Sequence, residues 1–190
     1  MAKAISNNLA GRVPPQNTQA EQAVLCTCLD SETALSVVTA ILSQNDFYRP
    51  DHRIIFAAIL ELMTLRSPVD IITVSDLLSK RGELEQVGGT TYLSQLSDLP
   101  IIRTNAAEYA SIVRQKAMLR RIIESLDDVI KLSYDGEQEA NNLVDIAIKR
   151  LSDMRENPAG SGFETIHEIL KRTLQEISDI SRGKKERTAI

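Results

Sequence analysis

Asn105–Tyr134 reads NAAEYASIVRQKAMLRRIIESLDDVIKLSY, with no proline and no glycine. Tyr109, Ile112, Lys116, Leu119, Ile123, Leu126, Ile130 and Ser133 follow one another at alternating steps of three and four. That is the spacing of a heptad seam, which Val113, Ile122 and Val129 widen. Such a helix is roughly 45 Å long at about 1.5 Å per residue, so it needs a partner along its length. Asp135-Gly136 breaks it. A second helix, about Glu137 to Glu156, carries Ala140, Val144, Ala147, Leu151 and Met154 at steps of four and three. The short connection predicts an antiparallel hairpin. One hairpin with apolar residues on both flanks cannot bury them all. The spacing therefore predicts a dimer or higher assembly, with Ile112, Leu119, Leu126, Ile130, Val144 and Leu151 as oligomer contacts.

Upstream, shorter helices follow one another. Residues 1–15 are polar, end in Pro14-Pro15 and read as a flexible leader. Thr18-Gln19-Ala20-Glu21 has the form of a capping box, with Asn17 as an alternative cap. The helix it opens ends near Asp30-Ser31, and a second spans about Glu32 to Leu42. Asn45–Pro50 is a turn, because Pro50 biases Arg49 away from helix. Asp51 can cap a third helix, to about Arg66, with Ile55, Phe56, Ile59, Leu62 and Met63 inward. Asp70 can cap a fourth, Ile71 to Arg81, stopped by Gly82. Gly88-Gly89 precedes a short fifth, with Tyr92, Leu93 and Leu96.

Downstream, Asn157–Gly162 has the composition of a flexible linker. A second capping box, Thr165–Glu168, opens a lone amphipathic helix, with Ile166, Leu170, Leu174 and Ile177 as its expected docking face. Arg182-Gly183 closes it. The expected fold is all-α. Its organisation is a leader (1–15), a helical globular subdomain (16–103), a helical hairpin (104–156), a linker (157–164), a separate C-terminal linker helix (165–183) and a basic tail (184–190).

Composition narrows the function. The 190 residues hold 22 Lys+Arg against 26 Asp+Glu, a net charge of −4, with 43% apolar residues. Disorder throughout is excluded by the apolar content. No stretch of about 18 apolar residues could span a membrane. Met1–Pro15 lacks a continuous apolar region, so no secretory signal is expected. Cys26 and Cys28 fit a reducing compartment. They stand two apart on one helix, where side chains turn by about 100° per residue, so they read as small core residues and not as a chelate or disulfide.

The catalytic inventory is poor. Gly183-Lys184-Lys185 lacks both the earlier glycine and the following Ser/Thr of a P-loop. His52 and His167 read as surface or helix-start histidines, and no metal site is expected. Arg114, Lys116, Arg120 and Arg121 stand near Glu108, Glu124, Asp127 and Asp128, the pattern of a charge-laced helix surface. Arg182, Lys184, Lys185 and Arg187 could meet phosphates or merely solubilise the end. Composition and periodicity leave two readings, an assembly scaffold and a helical nucleic-acid-binding protein acting through the basic tail or the long helix. No aromatic platform accompanies the cations, so DNA is expected to bind only weakly if at all.

The ordered motifs go further. The run Pro15-Gln16-Asn17-Thr18-Gln19-Ala20-Glu21-Gln22-Ala23-Val24-Leu25 is similar to the opening of bacterial replicative DNA helicases of the DnaB family. The resemblance continues with Asp46-Phe47-Tyr48, His52, Ile55-Phe56, Pro68-Val69-Asp70 and Thr73-Val74. It goes on through Gly88-Gly89, Tyr92-Leu93, Tyr109-Ala110, Ile112-Val113 and Arg120-Arg121-Ile122-Ile123, and covers about Pro14 to Ile190. Each motif is weak alone; the set in order is specific. Cys26 stands where the family usually has glycine.

The resemblance implies a helical amino-terminal domain with a protruding hairpin, non-catalytic in itself. Such domains pair, as dimers or as a hexameric trimer of dimers, into a collar that binds the carboxy-terminal domain of primase and, in some systems, a helicase loader. The linker helix would dock on the neighbouring subunit's ATPase domain. ATP and Mg belong to that domain, which these residues do not reach, so no cofactor is expected here. Location at the replication fork in the bacterial cytoplasm is implied as well. Primase-facing residues are expected around Tyr92 and on the long helix, with Tyr92, Ile123 and Val129 as apolar anchors. Tyr92→Ala is expected to weaken that binding with little effect on thermal unfolding.

Overall fold

The computed structural model describes residues 12–156. The linker, the linker helix with Ile166, Leu170, Leu174 and Ile177, His167 and the basic tail lie outside the described residues, as do residues 1–11. Among the described residues there are seven α-helices and no strand: α1 (Thr18–Asp30), α2 (Glu32–Ile41), α3 (Pro50–Thr64), α4 (Ile71–Lys80), α5 (Gly89–Ser97), α6 (Ala106–Asp135) and α7 (Ala140–Glu156).

Helix α1 is the centre. Every residue from Ala23 to Leu29 is buried, and α2, α3, α5 and α6 all pack on it. A helix covered all round is apolar all round. The buried hydroxyl of Thr27 donates to the Val24 carbonyl (2.8 Å). The N-cap is Asn17, whose side chain accepts from the Ala20 amide (3.0 Å). Glu21 is therefore not the acidic half of a capping box; its carboxylate turns inward. Both cysteines are buried on α1, and no disulfide joins them.

The other helix starts follow local chemistry. Pro50 occupies the first turn of α3, where a missing N–H costs nothing. Asp51 lies inside that helix instead of capping it. Asp70 caps α4 by accepting from the Thr73 amide (2.8 Å), and this bond is the main reason its carboxyl titrates below the usual range. Ile55, Phe56, Ile59 and Leu62 are buried, but Met63 faces solvent. Phe47 and Phe56 meet in the core, with ring centroids 4.8 Å apart.

Helix α6 is one unbroken 30-residue helix, ended by Gly136 in the left-handed region. Its packing face is not the predicted seam. The buried positions are Ala106, Ala110, Val113, Ala117 and Arg120, at alternating steps of four and three. This row of small residues lets α6 lie close against α1 and α2. Periodicity of large apolar residues overlooks alanines, and so passed over Ala106, Ala110 and Ala117. The globular core accordingly runs past residue 103 into the first turns of α6.

Three of the long helix's cations are also spent internally. Arg120 donates to the carbonyls of Pro15 (2.8 Å) and Asp46 (2.5 Å) and sits 5.7 Å from the Tyr48 ring. Arg121 pairs with the buried carboxylate of Asp46, and Arg114 donates to the Ile41 carbonyl at the end of α2. These side chains fasten the hairpin base to the globular part and do not form a solvated charge-laced face.

Arg120→Met should lower stability by about 2–4 kcal/mol, because it strands two carbonyls that now accept from a charged donor. Leu119→Ala, one residue along but outward, should cost less than about 1 kcal/mol in the dilute chain. Urea denaturation followed by circular dichroism measures both.

Candidate functional site: a projecting apolar face and a buried relay

Beyond Arg121 no residue of α6 is buried, and α6 pairs with α7. Arg150 reaches Asp128 across the pair (3.2 Å), which fixes an antiparallel register. Ile122, Ser125, Val129 and Leu132 of α6 and Leu143, Ala147, Arg150 and Met154 of α7 are half-buried. These are the positions the two helices cover for each other.

The next stripe round each helix is exposed. On α6 it holds Leu119, Ile123 (49% exposed), Leu126, Ile130 and Tyr134, and on α7 Val144 (56%), Ile148 (58%) and Leu151. Each exposed row is rotated about 110° from the covered row, in the same rotational sense on both helices. In an antiparallel pair, equal rotation brings both rows to one side. The hairpin therefore carries its exposed apolar side chains on one face.

The predicted oligomer residues Leu119, Leu126, Ile130, Val144 and Leu151 all lie on this face. Ile112, the sixth, is half-buried against the globular core. Of the three anchors, Ile123 is on the exposed face, Val129 is half-buried in the seam between the helices, and Tyr92 stands on α5 in the globular part. Ile148 and Tyr134 complete the face and were not singled out by the spacing argument.

Tyr92 ends a buried polar chain. His52 is fully buried and Glu21 nearly so. Glu21 Oε2 is 2.7 Å from His52 Nδ1, and His52 Nε2 is 2.7 Å from Tyr92 Oη. The other oxygen of Glu21 accepts from the Tyr48 amide (2.6 Å). Gln22 Nε2 donates to Tyr92 Oη (3.3 Å). The imidazole and phenol rings lie nearly parallel, 11° apart, with centroids separated by 6.1 Å. The Arg49 guanidinium lies 5.4 Å from the Tyr92 ring centroid and forms an ion pair with Asp51. Burial would raise the Asp51 carboxyl, but the Arg49 hydrogen bond and adjacent positive charge hold it below its usual value.

His52 reads from sequence as a surface or helix-start histidine; it stands in the first turn of α3, and it is buried. The signal was its register: it shares a helix face with Ile55, Phe56 and Ile59, all buried. Among the described residues no three His, Cys, Asp or Glu side chains converge to hold a metal. Burial pushes the Cys28 thiol well above its usual value, an unreactive state.

The described residues thus form a globular helical head with a projecting helical hairpin that carries an exposed apolar face. The DnaB-like helicase N terminal domain family matches residues 13–115, and the chain belongs to that family. It is 34% identical over 186 residues to the replicative DNA helicase DnaB of Geobacillus stearothermophilus, covering 98% of this chain and 41% of that protein. It is 41% identical over 136 residues to DnaB of Leifsonia xyli, covering 72% of this chain and 30% of that protein. The chain thus spans about two fifths or less of the length of these relatives, and its matched residues correspond to the N-terminal domain. A crystal structure of the N-terminal domain of DnaB helicase from Mycobacterium tuberculosis aligns with TM-score 0.69 and 39% identity, covering 74% of this chain and 99% of that one. The fold is also shared, with TM-score 0.55 and 21% identity, by a DnaB-like replicative helicase whose structure was described together with its interactions with primase; that match covers 87% of this chain and 37% of that one. No helix among the described residues is long and apolar enough to cross a membrane.

Gly88 governs where Tyr92 sits. It adopts φ +90°, and an added Cβ would come within 2.9 Å of Tyr92 Cβ. Gly89 has φ +68° with open space around it. Both Gly88→Ala and Gly89→Ala should lose about 1–2 kcal/mol to left-handed strain, and Gly88→Ala a further amount from displacing Tyr92. The difference between their urea midpoints measures the contact.

Proposed function

We propose that this chain is the collar and linker portion of a hexameric replicative DNA helicase, acting by assembly and docking without chemistry of its own. The observation that carries this reading is the exposed apolar face of the hairpin, in a chain that belongs to the DnaB N-terminal family. Copies pair through Leu119, Leu126, Ile130, Val144 and Leu151, as a dimer or as a trimer of dimers. Ile112 contributes little directly, being covered by its own core. The collar holds the carboxy-terminal domain of primase, with Tyr92 and Ile123 as anchors and Val129 supporting them from the seam. A helicase loader is a further partner, and the linker helix docks on a neighbouring subunit's ATPase domain, where ATP and Mg act. The working location is the bacterial cytoplasm, at the fork.

The half-buried setting of Tyr92 changes one expectation. Tyr92→Ala also removes the hydroxyl partner of a buried histidine, so it lowers thermal stability as well as docking. Direct DNA binding through the long helix finds little support, since Arg114, Arg120 and Arg121 are engaged inside the domain.

Light scattering during size exclusion tests the reading. The chain should elute as a dimer or larger, and should shift to a defined mass ratio with the carboxy-terminal domain of its cognate primase. Val144→Asp should convert the free chain to monomer, because a carboxylate would be buried opposite an apolar surface. A chain that is monomeric at high concentration and forms no complex with primase would overturn the proposal.

A further inference from the structure

Tyr92 is held by more than packing. Glu21 Oε2 and the Tyr92 hydroxyl sit at 2.7 Å from opposite nitrogens of one buried imidazole. A carboxylate only accepts, so Nδ1 donates to Glu21; Nε2 bonds the Tyr92 hydroxyl, whose oxygen also accepts from Gln22. The hydroxyl is thereby held between His52 and Gln22, and the Tyr92 side chain is half-buried. Arg49, 5.4 Å from the ring centroid, is itself anchored: its side chain pairs with Asp51, and its amide lies 3.4 Å from Glu21 Oε2.

We propose that Glu21 and His52 are positioning residues that lock the Tyr92 ring, with Arg49 beside it, into a preformed platform for an apolar side chain of the docking partner. This rests on the reading of Tyr92 as a docking residue. The physical advantage is preorganisation: a surface side chain fixed before binding loses little entropy on binding. Glu21 and His52 touch no partner and act only through Tyr92. A buried charged group held this way is expensive to leave half-paired, which favours a single arrangement of the tyrosine.

The test measures affinity for the carboxy-terminal domain of the cognate primase with the whole 190-residue chain, each variant being assayed well below its own unfolding temperature. Tyr92→Phe keeps the ring and removes one oxygen, so it should fold. The expected loss is about threefold to tenfold in affinity, the range of one hydrogen bond. His52→Gln should give a similar loss, and the double variant should bind no worse than the weaker single one, because both break the same chain. Tyr92→Ala should bind more weakly than Tyr92→Phe. If Tyr92→Phe melts lower yet binds like the parent, the relay is structural only and the proposal falls. If Tyr92→Ala binds like the parent, the docking reading itself fails and takes the proposal with it. Should His52→Gln not fold, Tyr92→Phe alone decides.

Discussion

The carboxylate of Glu21 is the constraint around which the globular part is organised. It is carried by the central helix, and it accepts from the Tyr48 amide and faces His52, both near the start of α3. A buried carboxylate without such partners would cost several kcal/mol. Its satisfaction therefore fixes where the Phe47–His52 turn lies against α1. That turn in turn places Asp46 and Tyr48 beside Arg120 of the long helix. One buried anion thus ties together three segments far apart in sequence.

Stability and exposure are divided along α6 itself. Its first half is sunk in the core on a row of alanines and one valine. Its second half shares a thin seam with α7 and leaves larger side chains uncovered. The same helix is a core element at one end and an exposed apolar element at the other. The arginine cluster at the junction, Arg114, Arg120 and Arg121, is what keeps the projecting end from pivoting freely on the globular end. Backbone carbonyls of Pro15, Ile41 and Asp46 serve as its anchor points.

Much of this was legible in the residues. The helix start at Asp70, the break at Gly136 and the unbroken run through α6 follow from capping and breaker chemistry, whereas Pro50 opens its helix where the sequence reads as a turn with Asp51 as the cap. What misled was treating large apolar spacing as packing. Leu119, Ile123, Leu126 and Ile130 make a better heptad than Ala106, Ala110, Val113 and Ala117, yet only the second row is buried. Small residues carry a weak hydrophobic signal and allow the closest approach between helices. Glu21 likewise satisfied a local pattern, three residues after Thr18, while its true partners lie some thirty positions downstream. No local rule sees a pairing of that range. His52 was visible only through its shared register with Ile55, Phe56 and Ile59.

The central position of α1 has a consequence for how the molecule is made. The most enclosed helix leaves the ribosome before the segments that cover it, and α6, which closes one side of it, begins more than eighty residues after α1 does. Until then Leu25, Leu29 and the rest of that surface have only α2, and later α3 and α5, to shelter them. Contacts of such long sequence separation slow folding, and early exposure of apolar surface invites association with other chains. The nascent polypeptide thus passes through a window in which its stickiest surface is the one that the finished protein hides most completely.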